Sequence, residues 1–95
     1  MAVKIIIKRR VPKAKEADLL PLLIELRSKA TTQPGYISGE TLRNVRDPED
    51  CTVISTWHSE EDWKKWETNR ERKAIQEKIE SLLGNPTDYG VYLYG

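Results

Sequence analysis

STWHSEEDWKKWETN, Ser55 to Asn69, contains all 3 tryptophans of the chain and its 1 histidine. Phenylalanine is absent from the whole sequence, and there are only 4 tyrosines. The stretch changes period partway along. CTVISTW, Cys51 to Trp57, is an alternating, β-branched run that reads as a strand. Ser59 then reads as a helix N-cap. Glu60, Glu61 and Asp62 occupy the first turn, where the helix dipole favours acids, and Asp62 stands at the capping-box position. Trp63 and Trp66 are spaced to share one helix face. A strand that feeds straight into this helix leaves two readings of the indoles. They supply the bulk of a small core, or they wall a pocket for a flat ligand.

Upstream, VKIIIKRRV (Val3 to Val11) reads as a strand that Pro12 ends. Leu19, Leu22, Leu23, Leu26 and Ala30 follow at helical spacing. Pro21 interrupts that helix. It falls harmlessly in the first turn if Asp18 is the cap, and it should kink a helix that starts near Lys15. Thr31 to Gly35 is a break, and YISGETLRN (Tyr36 to Asn44) is a strand weakened at Gly39. Asp47-Pro48 reads as the turn into the third strand.

Downstream, the helix runs to near Asn69, and a second stripe, Ile75, Ile79, Leu82 and Leu83, continues to Gly84 and Asn85-Pro86. At about 100° per residue this stripe lies roughly half a turn from Trp66. Either the helix bends near Asn69, or its two faces serve different purposes. YGVYLY, Tyr89 to Tyr94, is the last strand.

The order β-α-β-β-α-β is the ferredoxin-like arrangement, an α+β fold with four antiparallel strands and both helices on one face. The other face is left without a cover, and it is not polar. Tyr89, Val91 and Leu93 alternate with Tyr92 and Tyr94. Val53, Ser55 and Trp57 alternate with Thr52, Ile54, Thr56 and His58. A sheet with two semi-apolar faces calls for a second subunit, so a homodimer is expected.

The 95 residues suffice for one domain, residues 1–95. Charged residues make up 33% of the chain with a net charge of only +1, and the signs are interspersed. Neither nucleic acid nor a membrane surface is an expected partner. Cys51 stands alone, which excludes a disulfide framework and a cysteine-based metal site, and reads as a small hydrophobe at a strand start. No signal-peptide pattern opens the chain and no run approaches a membrane span, so a cytoplasmic location is the expectation.

Three motifs stand in a telling order: Pro34-Gly35-Tyr36 opening the second strand, Asp47-Pro48 in the hairpin, and Trp57-His58-Ser59-Glu60-Glu61 crossing from the third strand into the second helix. With the element order, they resemble the antibiotic biosynthesis monooxygenase (ABM) domain family over nearly the full chain. The resemblance implies a dimeric α+β barrel in which two sheets pack face to face, with a cleft in each subunit between helices and sheet. Family members include cofactor-independent monooxygenases of polycyclic aromatic or quinol substrates, haem-degrading enzymes, and small proteins without an established activity.

Trp57 matches the family tryptophan at the end of the third strand. Trp66 matches a tryptophan that the haem-degrading branch carries. That branch also carries an iron-ligating histidine where this chain has Gln76, and a first-strand asparagine where the nearest residues here are Ile7 and Lys8. Haem degradation is therefore not expected. The resemblance implies a monooxygenase acting on a small phenol- or quinol-like aromatic, whose anion itself reduces O₂, with no cofactor and no metal. Trp66 and Tyr36 are the expected ring contacts and Arg9 the expected anion partner. His58 is the one candidate general base, but alternation turns it away from the Trp57 face, where it reads first as a polar interface residue. The alternative is a non-catalytic dimeric module that binds a small molecule.

Overall fold

Alternation along the first strand decides what the molecule buries. In the computed structural model, which describes residues 1–94, β1 is Val3–Arg10, and Val3, Ile5, Ile7 and Arg9 are all buried on one face. Lys8 and Arg10 point the other way and are exposed. A 3₁₀ turn, Lys13–Lys15, leads into α1, Glu16–Ala30. β2 is Tyr36–Asn44, β3 is Asp47–Trp57, and β4 is Asp88–Leu93. The strands lie in the order β2-β3-β1-β4, every pair antiparallel. This is the expected ferredoxin-like sheet, with all helices packed on one face.

The long second helix is two helices. α2 is Glu60–Glu67 and α3 is Arg70–Leu83. The Asn69 side chain accepts from the backbone N–H groups of Glu71 (2.9 Å) and Arg72 (3.2 Å), so it caps α3 and fixes the change of direction. The bend at Asn69 turns both apolar stripes inward. Trp63 and Trp66 join Val3, Ile5, Ile7 and Trp57 in one core cluster, while Ile75, Ile79 and Leu83 pack with Val11 and Leu19 in a second. Leu26 of α1 packs against both. Gly84, at φ 73°, terminates α3 in the left-handed conformation that a residue with a Cβ disfavours.

Ser59 caps α2 as its sequence position indicates. Its Oγ accepts from the Asp62 N–H at 3.1 Å and donates to the Asp62 carboxylate at 3.1 Å. We expect Ser59→Ala to cost roughly 1 kcal/mol. Comparing denaturant midpoints at unchanged slope checks it, and a shift near zero would mean that the capping bond contributes nothing.

Two local expectations are corrected. Asp47-Pro48 is not in the turn. The turn is Val45-Arg46, closed by Asn44, whose side chain accepts from the Arg46 N–H at 2.9 Å, and Asp47 already belongs to β3. Arg10 holds the Asp47 carboxylate with two bonds, 2.7 and 3.1 Å, and pulls its pKa below the ordinary range. Pro48 is tolerated there because the β2–β3 register jumps between Arg43 and Asn44, so no ladder N–H is demanded of it. Asp18 does not cap α1. The helix begins before it, and Pro21 lies in its second turn, where its missing N–H leaves the Ala17 carbonyl without the usual donor.

The opposite sheet face has no helix over it. Ile6 and Ile54 are half-buried there, and Leu42, Tyr92 and Tyr94 are exposed. The Tyr92 ring lies over Gly90, where a Cβ would collide with it. Among the described residues, no helix is long and apolar enough to cross a membrane.

Candidate functional site: an aromatic cleft ending in buried arginines

The third strand and second helix deliver their indoles to one place. Trp57, at the end of β3, is 1% exposed, and its Nε1 donates to Ser55 Oγ two residues back on the same face, at 3.1 Å. Tyr36 meets it edge-on with ring centroids 5.4 Å apart. Trp63 meets it from α2 at 5.8 Å, and Tyr89 of β4 lies 6.1 Å beyond Trp63. These geometries are the ones that aromatic quadrupoles favour. Trp66 is 3% exposed, one helical turn from Trp63.

Two glycines make this arrangement possible. Gly35 has φ 87°, and a Cβ there would overlap the Asp62 side chain, so the chain must turn into β2 without a side chain. Its carbonyl accepts from the His58 N–H at 2.8 Å, which ties the turn to the end of β3. At Gly39, a Cβ would meet the Tyr36 hydroxyl at 2.8 Å, so the missing side chain gives the tyrosine its place. The strand's weak point is a seat for a ring.

Tyr36, Trp57, Trp63 and Trp66 line a cleft of about 280 Å³ between α1 and the sheet. Leu20, Leu23, Ile24 and Leu26 form its α1 side, and Leu20 and Ile24 are exposed at its mouth. The opening choice between core and pocket therefore has one answer for both: the indoles are buried on one side and wall the cleft on the other. The mouth also carries Arg27, whose Nη2 donates to the Gly39 carbonyl at 2.9 Å, and the exposed Glu40.

Arg9 and Arg72 reach the cleft from the sheet and from α3. Arg9 is 5% exposed. Its Nη2 donates to Gln76 Oε1 at 3.2 Å, and its Nε has no partner. Burial lowers its pKa from the ordinary arginine range; the neighbouring Arg72 guanidinium acts in the same direction, while Tyr89, Glu80 and Cys51 oppose. Gln76 in turn donates to Thr87 Oγ1 at 2.6 Å. Arg72 is 4% exposed, donates to the Tyr89 hydroxyl at 2.6 Å, and stacks on the rings of Trp63 (5.1 Å) and Tyr89 (5.2 Å).

Of the residues singled out in the sequence, Trp66, Tyr36 and Arg9 come together in this cleft. His58 does not. It is exposed beyond the end of β3 and is not among the lining residues. Cys51 is half-buried against the second core cluster. Arg72 and the supporting Gln76 were not identified as cleft residues from the sequence. Their signal was spacing: Arg72, Ile75, Gln76, Ile79 and Leu83 form one buried stripe. Among the described residues, no group of three or more His, Cys, Asp or Glu is placed to hold a metal ion.

A four-stranded antiparallel sheet covered on one face, with an aromatic cleft beneath its first helix, defines an α+β ferredoxin-like protein with a small-molecule-sized pocket. The ABM family model, described as antibiotic biosynthesis monooxygenase, matches residues 2–78. The chain belongs to the antibiotic biosynthesis monooxygenase family. Among solved structures, it is similar to a conserved protein from Methanosarcina mazei Go1, with a TM-score of 0.91, 19% identity, and coverage of 100% of this chain and 94% of that one. It is also similar to SnoaB, a cofactor-independent oxygenase from Streptomyces nogalater, with a TM-score of 0.85, 14% identity, and coverage of 99% and 93%. At these identities the likeness concerns the fold. A search of curated proteins finds no match.

Proposed function

We propose that this protein is an ABM-type, cofactor-independent monooxygenase acting on a small phenol- or quinol-like aromatic. The observation that carries the reading is the cleft itself, four aromatic rings closing on buried guanidinium groups. Trp66 and Tyr36 contact the substrate ring, and Arg9 stabilises its anion. In such a site the substrate supplies the electrons. A naphthol and O₂ give a naphthoquinone and water, with one oxygen atom entering the product and four electrons leaving the ring. The protein contributes a dry, preorganised, cationic pocket. SnoaB's description as a cofactor-independent oxygenase supports the same chemistry here.

The test is oxygen uptake with a panel of naphthols, anthrones and hydroquinones, on protein treated with a chelator. Uptake above the uncatalysed rate supports the reading. Tight ligand retention with no uptake would replace it with the second one, a non-catalytic binding module. The exposed position of His58, outside the cleft, favours that second reading, because it leaves the cleft without a histidine base.

The functional unit is a homodimer formed through the helix-free sheet face, and a cytoplasmic location suits it. Tyr92 and Tyr94, 54% and 59% exposed, belong to that contact. Replacing both with Lys is expected to shift the sedimentation mass from twice 11.0 kDa to the monomer, because two charges would enter a largely buried surface. A wild-type chain that sediments only as a monomer would contradict this.

Haem is not the substrate. Gln76, at the position of the family's iron-ligating histidine, is buried with both ends of its amide engaged, and an amide is not a usual axial ligand. With haem, reductant and catalase under air, the Soret band should decay no faster than that of free haem. Faster decay dependent on Trp66, with iron release, would contradict it.

A further inference from the structure

The cleft contains more positive charge than its own residues neutralise. Arg9 and Arg72 are each more than nine-tenths buried, and neither makes an ion pair among the described residues. Glu80 acts on Arg9 through its charge but makes no ion pair with either arginine among the described residues, and its Oε2 accepts from the Thr87 N–H at 2.9 Å. The groups holding the two guanidiniums are neutral, namely Gln76, the Tyr89 hydroxyl and the Glu67 carbonyl. Arg9 Nε and Trp63 Nε1 are buried donors with no acceptor, and both residues line the cleft. The one acidic lining residue is Glu40, which is exposed at the mouth. A buried, unpaired cation is costly, and so is a buried donor without an acceptor. Two such cations beside unpartnered donors and open space form a site suited to an anion.

We propose that the ligand of this cleft carries a fixed anionic group, a carboxylate on a one- or two-ring aromatic body, held by Arg9 and Arg72. This rests on the reading of the cleft as the substrate site and narrows its substrate class. A simple phenol reaches the pocket neutral, since phenols ionise near pH 10. A carboxylate arrives already charged and offers two oxygens to planar guanidinium forks. Two cations exceed what one phenolate requires, and they accommodate both an anchoring carboxylate and the reacting oxyanion. The volume sets the size. About 280 Å³ lies at the lower end of small-molecule pockets, which suits one or two rings with a substituent. The rings lie among Tyr36, Trp57 and Trp66, and the apolar mouth at Leu20 and Ile24 accepts their far edge.

The test is a calorimetric comparison of 2-naphthoate with its neutral isostere 2-naphthamide, on the wild type and on Arg9→Met and Arg72→Met. The wild type should bind the carboxylate about tenfold to a hundredfold more tightly, the range expected for charge-assisted hydrogen bonds. Each variant, if folded by circular dichroism, should reduce that preference to within a few-fold. The wild-type comparison stands by itself if a variant fails to fold. Equal affinity for the two ligands in the wild type, no binding of either at millimolar concentration, or a preference that survives both substitutions would overturn the proposal. Oxygen uptake separates it from the broader reading. A carboxylate preference in a protein that never consumes oxygen would keep the anion site and remove the monooxygenase. Uptake with neutral phenols and no carboxylate preference would do the reverse.

Discussion

Replacing Trp57 with alanine should lower the free energy of unfolding by roughly 3–5 kcal/mol, the range for deleting a large buried ring. The ring is 1% exposed and touches both Tyr36 and Trp63, so its loss removes two aromatic pairs and opens a void where β3 meets α2. It also leaves the Ser55 hydroxyl without its donor. Domains of this size have about 5–15 kcal/mol in total, so the variant should be close to unfolding at 37 °C. Trp57→Phe keeps most of the volume and should cost clearly less. Denaturant midpoints at one fixed protein concentration make the comparison, since a dimer's stability depends on concentration. A cost below about 1 kcal/mol for the alanine variant would show that the ring is not a core element.

Trp66→Ala should reduce oxygen-consuming turnover by at least about a hundredfold, the scale on which loss of substrate positioning lowers rates. Trp66 comes from α2, a helix of 8 residues held by the Ser59 cap at one end and by the bend at Asn69 at the other. It lines the cleft together with Trp63 and Arg72. Trp66→Phe retains an aromatic face and should lose much less turnover. Steady-state rates for the three proteins, each checked for folding, test this. Full activity in the alanine variant would remove Trp66 from the site.

The fold was legible because its strongest signals are local. Val3 to Val11 is too β-branched for anything but a strand, and STWHSEED contains a strand end, an N-cap and an acidic first turn in 8 consecutive residues. The half-turn offset between Trp66 and Ile75 left a bend near Asn69 and two separate faces equally open, and the structure has the bend. The misplaced turn has a physical cause. Asp-Pro is a turn-favouring pair, but Asn44 closes the turn first, and Arg10, remote in sequence, draws Asp47 into the strand.

The site was only half legible for a related reason. Rings were easy to assign, whereas arginines are normally read as solvated. Arg9 continues the inward parity of Val3, Ile5 and Ile7, and Arg72 continues the stripe of Ile75 and Ile79, so both were signalled by periodicity. What periodicity cannot express is that neither makes an ion pair among the described residues, because pairing depends on contacts between β1, α3 and β4.

The most direct measurement is isotopic. The protein is treated with a chelator and supplied with ¹⁸O₂ and a naphthol or hydroquinone that it consumes, and the product is examined by mass spectrometry. A monooxygenase whose substrate provides the electrons should place one labelled atom in each product molecule, form labelled water with the other, and lose this incorporation in Trp66→Ala. Product that carries no label, or labelling equal to that without protein, would contradict catalysis in this cleft.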